Sequence, residues 1–207
     1  MNIIVRKARG EWRREQILEA AARIVGEKGY HGFGIQELAK ACGLSNAGLL
    51  HHFPSKDEVL IAVLRERDRR DADAVSLRLK ICEPSDSGDL SLEVLLRSLR
   101  AAVIQNSQQK DFVRLYAVLR AEALNRDHPA HRYFDEREAG ALELFERLFR
   151  PFVSDPAAVA RHLLALMHGL ELQWLREEFA FDLVAEWDRQ ILQLTAFAKQ
   201  AAPIIKE

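Results

Sequence analysis

IQELAKACGLSNAGLLHHFPSKDE, residues 35–58, contains two short helical stretches separated by a tight turn. Leu38 and Ala39 supply the inward face of the first stretch, Ile35 to Ala41, and Cys42-Gly43-Leu44 breaks it. Ser45 then suits a helix N-cap, because its hydroxyl accepts a hydrogen bond from a free amide of the first turn. Leu44 just before that cap and Leu49 four positions after it make a hydrophobic staple. The second helix is therefore expected over Ser45 to His52, stopped by Phe53-Pro54. Ser55-Lys56-Asp57-Glu58 has the form of a capping box that opens a longer helix, expected to reach about Leu79.

Two short helices around a glycine-containing turn, the second capped and polar, are the layout of a helix-turn-helix. Such a motif needs a scaffold helix, a sharp turn and a second helix whose first residues reach base edges. Leu38, Ala39, Leu44, Leu49 and Phe53 supply its inner face, which leaves Gln36, Ser45, Asn46, Ala47, His51 and His52 for the outer one. Asn and Gln can bridge adenine in a major groove, and Ala can meet a thymine methyl. Lys56 falls in the first turn of the next helix, where its charge and the free amides suit a phosphate.

Upstream, Ile17, Ala20, Ala21, Ile24 and Val25 recur at helical steps, so a first helix is expected from about Glu11 to Lys28, with Gly29 as its C-terminal cap. Downstream, Glu83 to Asp89 reads as a loop. Helices are expected from about Leu92, from Phe112 to Ala123, from Pro129 to Phe149, from Pro156 to about Glu177, and from Asp182 to before Pro203. No sustained alternation of apolar residues suggests a strand. The fold class is all-α with about nine helices.

Charge divides the chain unevenly. Residues 1–56 carry nine Lys/Arg against five Asp/Glu, whereas the remainder carries 21 against 26. A basic head on an acidic body suits a protein that faces a polyanion at one end, although a chance fluctuation would look the same. Cys42 and Cys82 are too few for a disulfide framework. The apolar start Ile3-Ile4-Val5 is followed, not preceded, by basic residues, unlike a signal peptide. Leu163 to Leu175 is too short and too polar to span a bilayer. A cytoplasmic location without membrane association is the expectation.

Residues 14–64 as a whole, from Arg14-Glu-Gln-Ile-Leu-Glu-Ala-Ala-Ala through Gly29-Tyr30 and the quoted stretch to Val59-Leu60, resemble the N-terminal domain of the tetracycline-repressor (TetR) family of transcriptional regulators. The match covers a quarter of the chain. It implies a helix-turn-helix domain over 1–56, and a ligand-binding and dimerisation domain over 57–207 reached through a long fourth helix. It also implies base and phosphate contacts from the third helix, which adds Gly48 and Leu50 to the candidates. Gln36 matches a position that often touches DNA, and Lys56 a lysine that typically grips a phosphate. Gly34 departs from the usual Ser or Thr cap, Leu50 from a common Tyr, and Ala47-Gly48 from a Gly-Thr pair. These departures bear on the operator sequence.

The resemblance further implies a homodimer through residues 156–177 and 183–201, with apolar stripes at Leu163, Leu166, Met167, Leu170 and Trp174, and at Leu183, Val184, Trp187, Ile191, Leu194 and Phe197. It implies a small-molecule effector. Phe112, Tyr116, Arg120, Tyr133, Phe134, His168 and Trp174 are candidates to line its cavity, being apolar with a few polar groups. The same residues also fit a filled core. His128 and His131 near Asp127 and Asp135 are weak metal candidates, and no metal or cofactor is expected. No nucleophile with its base and no phosphate-binding glycine loop is visible, which argues against an enzyme. The expected function is a ligand-released repressor on a palindromic operator. A helical-bundle enzyme and a regulator controlled by a protein partner remain the alternatives.

Overall fold

The structure, a computed structural model, describes residues 2–81 and 91–201, with side chains over 10–70 and 91–193. The expected loop at 83–89, Cys82, and the side chains of Leu194 and Phe197 lie outside the described residues. Within them the chain is all-helical: α1 (Asn2–Gly32), α2 (Ile35–Ala41), α3 (Asn46–His52), α4 (Lys56–Ile81), α5 (Leu92–Gln108), α6 (Lys110–Glu122), α7 (His131–Phe149), α8 (Pro156–Arg176) and α9 (Leu183–Ala201).

The chain falls into two compact units, 1–72 with 109–140 and 73–108 with 141–207. The first has a single core. Ile17, Ala21 and Val25 of α1 meet Leu38 of α2, Leu49 and Phe53 around α3, Leu60 and Leu64 of α4, and Leu115 and Leu119 of α6. Three short helices cannot enclose that much apolar surface alone, and α6 completes it. Gly26 permits the close approach, because a Cβ there would lie 3.1 Å from the backbone nitrogen of Leu115.

Gly29 interrupts α1 with a φ of 70°, the left-handed conformation the sequence assigned to it. The physical reason exceeds a simple cap. The Glu122 carboxylate is lodged against this bend and accepts the Tyr30 backbone N–H at 2.8 Å. A Cβ on residue 29 would overlap Glu122 Oε1. Gly29→Ala is therefore expected to destabilise the first unit by about 1–2 kcal/mol from backbone strain alone, and by more once Glu122 is displaced from Tyr30. Thermal melts of the two proteins check this.

Helix boundaries follow local chemistry. Asp155 caps α8 by accepting the Ala158 N–H at 3.0 Å, with Pro156 in the first turn. Helix α7 starts at His131, two residues after the expected Pro129. The reason is that His128 acts as the capping group: its Nδ1 accepts the Ala130 N–H at 3.1 Å. Helix α1 begins well before the expected Glu11, at Asn2.

The second unit packs α5, α8 and α9. Leu95, Leu99 and Val103 on α5, Leu163, Leu170 and Trp174 on α8, and Leu183, Trp187 and Ile191 on α9 are buried. Trp174 Nε1 donates to the Phe181 carbonyl at 3.0 Å, which ties α8 to the turn before α9. Arg100 and Asp188 pair at 2.8 Å between α5 and α9. Most stripe residues expected at a dimer interface are therefore used inside this unit. Among the described residues the exposed leucines of α8 and α9 are Leu172 and Leu192. Among the described residues no helix is long and apolar enough to cross a membrane.

Candidate nucleic-acid interface

The turn and the third helix form as their chemistry dictates. Gly43 takes a φ of 64°, and Leu44 N–H returns to the Ala39 carbonyl at 2.8 Å, closing α2. Ser45 Oγ accepts the Gly48 N–H at 3.1 Å, and Ser55 Oγ accepts the Glu58 N–H at 3.1 Å. Gly34 caps α2 in an extended conformation without a side-chain bond. Losing that bond to Gly rather than Ala costs only a few tenths of a kcal/mol.

Burial sorts the motif into two faces. Leu38, Leu49 and Phe53 are fully enclosed. Gln36, Ser45, Asn46, Ala47, Leu50 and His51 are exposed, while Gly48, His52 and Lys56 are partly exposed. An exposed leucine at 40% on an otherwise polar face fits a surface that meets the apolar edge of another molecule. Burial, helped by the neighbouring His51, Arg14 and Arg13, holds the His52 imidazole below its usual range.

Two supports for this face escaped the sequence reading. Arg14 on α1 donates to the His52 carbonyl at 3.1 Å, and its guanidinium stacks over the Phe53 ring at 4.1 Å. A cation placed on the last carbonyls of α3 complements the helix dipole and fixes the end of the helix. Lys56 is the second case. Its ammonium lies 4.3 Å from the centre of the Tyr30 ring and 5.1 Å from that of Phe33. Tyr30 donates its hydroxyl to Asp57, and burial together with that carboxylate raises the phenol to about 12. These partners are 38, 26 and 27 positions apart, and no spacing rule joins them.

The cavity candidates are dispersed. Phe112, Tyr116, Arg120, Tyr133 and Phe134 belong to the first unit, and His168 and Trp174 to the second. Phe112, Tyr116 and Phe134 are packed in the first unit's core. The Tyr116 hydroxyl has the Leu64 carbonyl at 2.9 Å and the Tyr133 hydroxyl at 2.5 Å as alternative acceptors for its one proton. Tyr133 donates to Asp68, which Arg137 also holds at 2.9 Å. Burial pushes both phenols well above the usual tyrosine range. Arg67 donates to the Phe112 carbonyl at 2.9 Å and lies over the Tyr116 ring at 4.1 Å. These tyrosines are thus satisfied by α4, an arrangement in which Arg67, Asp68 and Arg137 had not been anticipated. Arg120 pairs with Glu138 at 3.4 Å.

In the second unit, Val103, Met167, Leu170, Glu171, Leu183 and Trp187 line a crevice too narrow for a water molecule. Glu171 is buried there and accepts a hydrogen bond from Asn106 at 2.6 Å. Glu171 is one of the polar residues in the stretch 163–175. Among the described residues no group of three or more His, Cys, Asp or Glu is placed to hold a metal ion.

Comparison with known proteins agrees with this geometry. Residues 17–63 match the family model of bacterial regulatory proteins, tetR family. Over 63 residues the chain is 40% identical to the HTH-type transcriptional repressor AcnR of Corynebacterium efficiens, covering 30% of this chain and 34% of that protein. The chain thus spans about a third of the length of the curated relatives it matches. Solved structures extend the likeness in fold. The transcriptional regulator FadR from Bacillus subtilis, in complex with stearoyl-CoA, superposes with a TM-score of 0.69 at 16% identity, over 87% of this chain and 96% of that one. AibR, in complex with isovaleryl coenzyme A and operator DNA, gives a TM-score of 0.56 at 23% identity, over 82% of this chain and 87% of that one.

Proposed function

We propose that this chain, whose residues 17–63 match the family model of bacterial regulatory proteins, tetR family, is a homodimeric repressor that binds a palindromic operator and leaves it when a small molecule binds. One observation carries this reading. The outer face of α3 and its flanks, Gln36, Ser45, Asn46, Ala47, Gly48, Leu50, His51, His52 and Lys56, is open to solvent, while its inner face is enclosed. A short helix held so firmly on one side and left polar on the other is built to enter a major groove.

In this reading Asn46 and Gln36 contact bases, Leu50 and Ala47 meet thymine methyls, and Lys56 holds a phosphate. The functional division falls near residue 56. Residues 1–56 bind DNA, and 57–207 bind the effector and the second subunit. Dimerisation runs through 156–177 and 183–201, where the exposed Leu172 and Leu192 favour a covered surface. The protein works in the cytoplasm, where its operator is.

The neighbours in complex with acyl-coenzyme A, one of them also with operator DNA, support a small-molecule effector. The proposed effector contacts are Phe112, Tyr116, Arg120, Tyr133 and Phe134 within the first unit, and, taken separately, His168 and Trp174 within the second. The ligand enters by parting helices, because the aromatic candidates are closely packed. That same packing favours a second reading, in which a protein partner controls release.

Gel shifts of the full chain on its own upstream DNA, at several salt concentrations, test the proposal. A sequence-selective shift that weakens as salt rises supports it. Loss of selectivity at every salt concentration contradicts it. Thermal-shift screening with acyl-coenzyme A thioesters and other small metabolites separates the two modes of control, since a ligand bound only by the folded state raises the melting temperature.

A further inference from the structure

We propose that Tyr30 is a positioning residue that aims Lys56 at the DNA backbone. The inference rests on the reading of Lys56 as a phosphate contact.

Lys56 sits at the first position of α4, and its long side chain has many rotamers to lose on ordering. The faces of Tyr30 and Phe33 limit that freedom. The ammonium stands 4.3 Å from one ring centre and 5.1 Å from the other, within the range of cation–π attraction. Two hydrogen bonds and one ring contact hold the Tyr30 platform in place. At one end its hydroxyl is tied to Asp57, the neighbour of Lys56 on α4. At the other end its backbone N–H is held by Glu122 at 2.8 Å, beside the bend at Gly29. On its edge it meets the His128 ring at 5.0 Å in a T-shaped contact.

His128 is itself rigid, buried to 5% exposure with its Nδ1 engaged by Ala130. Its Nε2 lies 3.5 Å from Glu122 Oε2, so the group that seats the ring and the group that seats the backbone of Tyr30 adjoin each other. The platform under Lys56 is thus anchored by the end of α6 and the turn after it. A lysine held this way loses less entropy when it meets a phosphate, and binding is tighter for that reason.

The test uses the full-length homodimer and a duplex that it selects from a randomised pool, with affinity measured over a series of salt concentrations. The variants are Lys56→Ala, Tyr30→Leu, Tyr30→Phe, pentafluorophenylalanine at position 30, and Tyr30→Leu combined with Lys56→Ala. Pentafluorophenylalanine keeps the ring's shape but removes its attraction for a cation, so it guards against a Tyr30→Leu protein that fails to fold.

Tyr30→Leu and the fluorinated ring are expected to weaken binding about two- to fivefold per reading head, the scale of an exposed cation–π contact. The slope of log affinity against log salt should flatten toward that of Lys56→Ala, which loses about 0.9 per phosphate contact. Tyr30→Phe, which keeps the ring but loses the tie to Asp57, should fall between wild type and Tyr30→Leu, and the double variant should be no weaker than Lys56→Ala alone. A fluorinated ring with wild-type affinity, or a Tyr30→Leu loss that adds in full to that of Lys56→Ala with an unchanged slope, would overturn the inference. If Lys56→Ala itself keeps wild-type affinity and slope, the phosphate role of Lys56 fails, and the inference falls with it.

Discussion

Trp187→Ala should lower the unfolding free energy by about 3–5 kcal/mol, the range for removing a large aromatic from a closed core. Trp187 is 1% exposed and lies against Val103 of α5 and Met167 and Leu170 of α8. The space beside it is already too small for water, so truncation would leave an apolar hollow that neighbouring helices fill only in part. For a chain of this length the loss corresponds to about 6–20 °C in melting temperature, read at fixed protein concentration. A Trp187→Phe protein should recover much of the difference. A Trp187→Ala protein that melts within a degree of wild type would show that α9 does not pack as described.

Asn46→Ala should have the largest effect on DNA binding with almost none on folding. Asn46 is the first residue of α3, and its side chain is exposed. The cap belongs to Ser45, so alanine at 46 leaves the helix start intact. A good bidentate amide–adenine pair contributes about 1–3 kcal/mol per head, and a dimer has two heads. The variant should therefore bind its operator about thirtyfold to 10⁴-fold more weakly, while its weak binding to unrelated DNA stays the same. An equal loss on both kinds of DNA would make Asn46 a backbone contact instead.

The motif was legible because its determinants are local. Ser45 with Gly48, Ser55 with Glu58, and Leu44 with Leu49 are three to five positions apart, which is the reach of caps and staples. Gly29 was legible as a helix end, but not its reason, since the carboxylate that requires the bend belongs to Glu122 on another helix. The same limit applies to Arg14 with His52 and to Tyr133 with Asp68. Pairs so far apart in the chain leave no periodic trace.

The cavity candidates show what periodicity leaves out. Phe112 and Tyr116 have the spacing of one helix face, and periodicity reports that a face is buried without reporting what covers it. In the structure that cover includes α1 and α4. Glu171 was hidden for a related reason. A single acidic residue in an apolar helix reads as a solvent-facing turn of the stripe, and only the position of Asn106 on α5 reveals that it is enclosed.

If two copies of the α3 face enter DNA together, hydroxyl-radical footprinting of the protein on its selected duplex should show it. Two protected half-sites related by a two-fold axis are expected, with centres about one helical turn apart or a multiple of it, and protection lost in Asn46→Ala. A single unsymmetrical footprint, or the same two-fold footprint from a protein whose α3 face has been replaced, would contradict it.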